Sequence, residues 1–163
     1  MRKLVAVLMG LGLIVGLSGM AMAGNSAQQT VTYEVQAINE LSASGDPAAL
    51  VVNAAVAGSA PTEVSNALTT YAITTNESSK KITGKINTAM GSGLTLKVNL
   101  AAPTGGTSAG DVSLSATDQD LVTGITKLNE SGKTITYKFS ATSDAGVISE
   151  ATKTVTFTIT DGT

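Results

Sequence analysis

Leu94-Thr95-Leu96-Lys97-Val98-Asn99-Leu100 alternates apolar and polar residues without a break. A side-chain period of two puts the four apolar residues on one face and Thr95, Lys97 and Asn99 on the other. That is the pattern of a strand with one buried face and one wet face. The same reading covers Ile135, Tyr137, Phe139 and Ala141 against Thr136, Lys138 and Ser140. It also covers Val155, Phe157 and Ile159 against Thr154, Thr156, Thr158 and Thr160. Val31, Tyr33, Val35 and Ala37, alternating with Thr32, Glu34 and Gln36, predict an opening strand. Weaker strand patterns span residues 50–56, 69–75, 81–87, 112–117 and 121–128.

Turn residues punctuate these runs at Gly45-Asp46-Pro47, Gly58-Ser59-Ala60-Pro61, Pro103-Thr104-Gly105-Gly106 and Asp144-Ala145-Gly146. The best helical rival is residues 46–57, with Asp46 as N-cap and Pro47 in the first turn. Many short strands spaced by turns predict an all-β fold, an immunoglobulin-like antiparallel β-sandwich of about 7–9 strands. The expected core is Leu96, Val98, Ile135, Tyr137, Phe139, Val155, Phe157 and Ile159.

The chain opens with a basic Met1-Arg2-Lys3, an apolar run from Leu4 to Leu17, and Ala21-Met22-Ala23. This is the arrangement of a signal peptide over residues 1–23, cut ahead of Gly24. The remaining 140 residues, 24–163, form a single domain in this reading. The expectation is a secreted or cell-surface protein with no stable membrane insertion after cleavage. Export without cysteine suits a bacterial or archaeal surface, because small eukaryotic secreted domains usually lean on disulfides.

Composition excludes several activities. Among 163 residues there is no cysteine, histidine or tryptophan. A thiol nucleophile, a Ser-His-Asp triad, a zinc finger and a disulfide framework are therefore ruled out. The 140-residue part holds eight lysines, no arginine and twelve acids, a formal charge of −4. An acidic chain without guanidinium groups is a poor binder of phosphate backbones, so nucleic acid is not an expected partner.

The best acidic cluster is Asp111, Asp118 and Asp120, a weak calcium candidate with Asp118-Gln119-Asp120 between two strand patterns. It lacks the glycine and glutamate of an EF-hand loop, and turn aspartates commonly serve local hydrogen bonds. No carboxylate pair is singled out for glycoside hydrolysis. Neither Gly91-Ser92-Gly93 nor Gly105-Gly106 has a phosphate-loop ending. No enzymatic activity, catalytic residue or cofactor is expected.

Threonine fills 24 of the 140 positions, mostly on polar strand faces, where a stiff β-branched side chain suits a pleated surface. Uncharged faces of this kind protect sheet edges less than lysine does, so self-association is one reading of them. An internal echo adds to this. Residues 76–85, Asn-Glu-Ser-Ser-Lys-Lys-Ile-Thr-Gly-Lys, match residues 129–138, Asn-Glu-Ser-Gly-Lys-Thr-Ile-Thr-Tyr-Lys, at seven of ten positions. Each copy reads as a tight turn whose lysine opens the next strand, a pair of related hairpins. Both also spell the Asn-x-Ser glycosylation pattern, at Asn76 and Asn129, which the turn by itself accounts for.

The closing run Thr154-Val155-Thr156-Phe157-Thr158-Ile159-Thr160-Asp161 resembles the terminal motif of WxL-type bacterial surface proteins, a Trp-x-Leu followed by Thr-Asp. Thr30-Val31-Thr32-Tyr33 is similar to the opening strand of such domains. Phe157-Thr158-Ile159 stands where the defining Trp-x-Leu would be. The resemblance implies an exported protein held noncovalently at a cell wall. In architecture the chain is also similar to exported β-sandwich filament subunits of the camelysin type. The expected role is an exported non-enzymatic structural or surface-association protein that assembles with itself through strand pairing. The alternative is a secreted module binding a cell-wall polymer or glycan. Pairing of the first strand in cis and in trans both remain open at this point.

Overall fold

The computed structural model describes residues 25–162. The expected signal peptide and its cleavage point lie outside the described residues. The chain divides into two units, Met1–Glu34 and Val35–Thr163. In the first, the described residues belong to no strand or helix, and every one is exposed. The second is an all-β sandwich.

Its strands are β1 (Asn39–Ala43), β2 (Val64–Thr75), β3 (Lys80–Ile86), β4 (Leu94–Leu100), β5 (Thr107–Ser108), β6 (Val112–Ser113), β7 (Gln119–Ile125), β8 (Leu128–Ala141) and β9 (Val155–Asp161). They form two sheets, β1-β2-β8-β4-β6 and β5-β7-β3-β9, in which neighbouring strands pair antiparallel. The order β1-β2-β8-β4 corresponds to the A-B-E-D sheet of an immunoglobulin-type sandwich, and the β3-β9 pair to its C and F strands. The segment carrying β5, β6 and β7 is inserted between D and E. Among the described residues no strand lies beyond β9, where that architecture places strand G.

The alternating residues supply the core. Leu96, Val98 and Leu100 of β4 meet Ile135 and Tyr137 of β8 from one sheet, and Ile82, Ile86, Leu121, Val122 and Ile125 from the other. Leu96, Val98, Ile135 and Tyr137 are buried as the pattern predicts. Phe139, Val155, Phe157 and Ile159 are only half-buried. For the last three the reason is position: β9 is an edge strand, so its inward face is covered on one side only.

Other expectations change. Residues 31–37 are not a strand, and the first strand begins at Asn39, beside β2. Alternation records a face able to be buried. It does not record that the chain's own sheet holds a place for it. Residues 50–56 contribute one isolated bridge, Ala55 to Pro61, and neither a strand nor a helix forms over 46–57. The strand expected over 112–117 shrinks to Val112–Ser113. Ser143–Ala145 is a single turn of 3-10 helix.

Candidate functional site

The three candidate aspartates do not converge. Asp111 immediately precedes β6, and its carboxylate reaches the larger sheet, accepting from Lys138 Nζ at 2.5 Å and Asn99 Nδ2 at 3.2 Å. Lys138 and Asn99 together hold that carboxyl below the usual range. Asp118 and Asp120 lie over β3 and meet Lys85 and Lys81 at 3.2 and 3.0 Å. Each carboxylate is neutralised by its own ammonium. Among the described residues no group of three or more acidic side chains is placed to hold a metal.

The echoed motif turns out to be one local structure used twice. Ser79 and Gly132, at matching positions, both adopt the left-handed conformation, with φ of 56° and 68°. In each copy the glutamate three residues before the lysine pairs with it: Glu77 with Lys80 at 2.8 Å, Glu130 with Lys133 at 2.5 Å. The contexts differ. Residues 76–79 carry the chain from β2 in one sheet to β3 in the other. Residues 131–132 instead form a bulge inside β8, because Tyr71 pairs with Lys133 while Ile73 pairs with Glu130. Only the first copy is a turn between strands, so the expectation of two equivalent hairpins is corrected. Lys133 first, then Thr104, pulls the Glu130 carboxyl down to about 2.

The first copy also organises the corner where β1 starts. Lys80, buried, pairs with Glu77 and with Asp161 at the end of β9. Glu77 in turn accepts from Asn39, and Thr75 donates to Asn39 Oδ1 at 2.7 Å. Asn76 acts as a clasp. Its Oδ1 accepts from Ile38 N–H at 2.8 Å, its own N–H donates to Ile38 C=O at 3.2 Å, and its Nδ2 donates to Gln36 C=O at 2.7 Å. These bonds hold the backbone of residues 36–38 in line with β1. From Asn25 to Ser44 there is no glycine or proline to reverse the chain. Val31, Tyr33 and Val35 are 77, 90 and 79% exposed.

At the same margin of the sandwich as β1, β9 has, among the described residues, a ladder on one side only. Asn87 N–H donates to Thr154 C=O, and Gly162 N–H to Ser79 C=O. With the register Lys80–Asp161 through Ile86–Val155, these bonds fix the phase of the ladder. Even-numbered residues of β9 face β3 with their N–H and C=O groups. Val155, Phe157 and Ile159 therefore turn theirs to the open edge, while their side chains point inward. Between β9 and β1 the seam of the sandwich opens into a groove of about 260 Å³, lined by Leu41, Ser42, Ala43, Tyr71, Leu100, Val155, Thr156 and Phe157. The lining is mostly apolar, and the Tyr71 hydroxyl is turned away to donate to Ala101 C=O at 2.6 Å. A second hollow, of about 460 Å³, lies on the outer face of the smaller sheet. Lys81, Lys85, Asp118, Asp120, Asp161 and three threonines, Thr83, Thr158 and Thr160, line it.

No protein-family model, curated protein or solved structure matches the chain. Among the described residues no helix is long and apolar enough to cross a membrane. The seam thus sets a mostly apolar groove beside the outward-facing backbone of the edge strand β9. The strand pattern reveals Phe157 and Val155 in sequence, but the clasp at Asn76 has no sequence signal beyond an asparagine in a turn.

Proposed function

We propose that the chain is an exported, non-enzymatic structural or surface-association protein that assembles with copies of itself by strand pairing. The observation that carries this reading is a mismatch within one chain. Residues 31–37 have the alternation of a strand and lie in no sheet, while β9 has a free backbone edge above an apolar groove. Exposed edges of this kind are templates for another strand. The signal-like residues 1–23 and the resemblance of 154–161 to WxL-type endings favour action outside the cell. The negative charge and the lack of arginine over residues 24–163 disfavour nucleic acid as a partner.

Sedimentation and electron microscopy of the chain from Gly24 across a concentration series test the reading. Concentration-dependent oligomers or filaments are expected. A strict monomer at high concentration would overturn it.

A second reading, a module that binds a cell-wall polymer or glycan, is favoured by the hollow on the outer face of the smaller sheet. Hydroxyls and both charge signs lie side by side there. Sedimentation with isolated cell walls, persisting at dilutions where the chain is monomeric, supports that role.

A further inference from the structure

We propose that residues Thr30–Ile38 of one copy add as a strand to the free edge of β9 in a second copy, with Val31, Tyr33 and Val35 entering the groove between β9 and β1. The proposal rests on the self-assembly reading and specifies its donor and its acceptor.

Length agrees first. β9 spans seven residues, Val155–Asp161, and the alternating run 31–37 also has seven. Chemistry agrees next. Val155, Phe157 and Ile159 offer outward N–H and C=O groups, and an added strand bonds to these three residues. With the donor's odd-numbered side chains inward, its apolar face continues the apolar face of β9. Its Thr32, Glu34 and Gln36 then join the outer row of Thr156, Thr158 and Thr160.

The occupant is a second copy because the backbone just ahead of Asn39 is already committed to the line of β1. Asn76 holds the backbone of Gln36 and Ile38 in line with β1, which runs antiparallel to β2 in the other sheet. To reach its own β9 the chain must reverse within residues 36–39, and Gln36-Ala37-Ile38-Asn39 contains no glycine or proline. Donation to a neighbour needs no reversal. The donor face and acceptor edge are different surfaces, so the contact is head-to-tail and propagates unless its rotation closes a ring. The occupied position is that of strand G in an immunoglobulin-type sandwich.

The chain has no cysteine, so introduced thiols are unique reporters. Glu34 and Thr158 are both exposed and central in donor and acceptor, and they face each other whichever direction the added strand runs. Chains from Gly24 carrying Glu34→Cys and Thr158→Cys are mixed, assembled and oxidised. A mixed disulfide dimer is expected, and none from Glu34→Cys with Thr107→Cys, which sits on the opposite edge strand β5. Assembly without the Glu34–Thr158 link would overturn this docking and leave self-assembly standing. Failure of the unmodified chain to assemble would remove the reading beneath it. A link that forms within one chain carrying both substitutions, in dilute monomer, would show pairing in cis and end the proposal.

Discussion

Asn76 grips Ile38 from both sides, accepting from its N–H at 2.8 Å and donating to its C=O at 3.2 Å. The pair behaves as one extra rung of the β1–β2 ladder, contributed half by backbone and half by a side-chain amide. It fixes the backbone of Ile38 at the start of β1. Asn76→Ala removes the side-chain half and the bond to Gln36. The expected loss is about 1–2 kcal/mol of stability for two partly exposed hydrogen bonds. Assembly is expected to fall more than thermal stability does, as read by sedimentation beside a melting curve.

The matched pair Ser79 and Gly132 gives an opposite-signed prediction. Both sit at positive φ, which a side chain resists by roughly 1–2 kcal/mol. Ser79→Gly is expected to raise the denaturation midpoint slightly, and Gly132→Ala to lower it by about 1 kcal/mol or more. Destabilisation by both replacements, or no change from Gly132→Ala, would mean that the two copies do not share a conformation.

The acid limb of stability is linked to Glu130. Its carboxyl ordinarily titrates near 4.5 and is pulled down to about 2 in the fold by Lys133 and Thr104. A depressed folded pKa stabilises above the unfolded value, and that stabilisation is lost as pH falls from about 4.5 towards about 2. Glu77, lowered by Lys80 and Asn39, adds in the same direction. The difference in melting temperature between the parent chain and Glu130→Gln is expected to shrink across that window. A difference independent of pH there would contradict the pairing.

Packing between β3 and β7 depends on a bare backbone at Gly84. A Cβ there would meet Leu121 Cδ1 at 2.6 Å and Phe157 Cδ1 at 3.4 Å. Gly84→Ala is expected to cost about 1–3 kcal/mol by overpacking. Ile82→Ala, fully buried on the same strand, should cost about 2–5 kcal/mol. Phe157→Ala should cost less than a fully buried phenylalanine, because its ring is half-open to the groove, and Thr156→Ala less again. Denaturant titrations rank the four.

Much of this fold is legible in alternation alone. Leu94–Leu100, Ile135–Ala141 and Val155–Thr160 are strands in sequence and in structure, because each period-two face meets another in the core. The same signal misplaces residues 31–37, since periodicity does not say whether the burying partner is in the same chain. The echo at 76–85 and 129–138 is visible as residue identities and reproduces a backbone conformation and an ion pair. Whether the motif turns a corner or bulges a strand depends on its neighbours: residues 76–79 cross between sheets, whereas Ser131 and Gly132 bulge out of the β2–β8 ladder between the pairs Ile73–Glu130 and Tyr71–Lys133. Asp111, Asp118 and Asp120 look like a cluster because they are close in sequence. They separate because Lys138 lies in one sheet and Lys81 and Lys85 in the other.

The central claim is that residues before the sandwich serve a neighbour. The most direct measurement removes 24–34, which leaves the compact unit Val35–Thr163 and the nine strands of the described residues. The shortened chain is then titrated with a labelled Thr30–Ile38 peptide and followed by fluorescence anisotropy. The expected result is a folded monomer that no longer polymerises and binds the peptide saturably, with binding lost when Tyr33 and Val35 of the peptide are replaced by Ser. An unfolded chain that ignores the peptide, or a folded one that polymerises as before, would contradict the account.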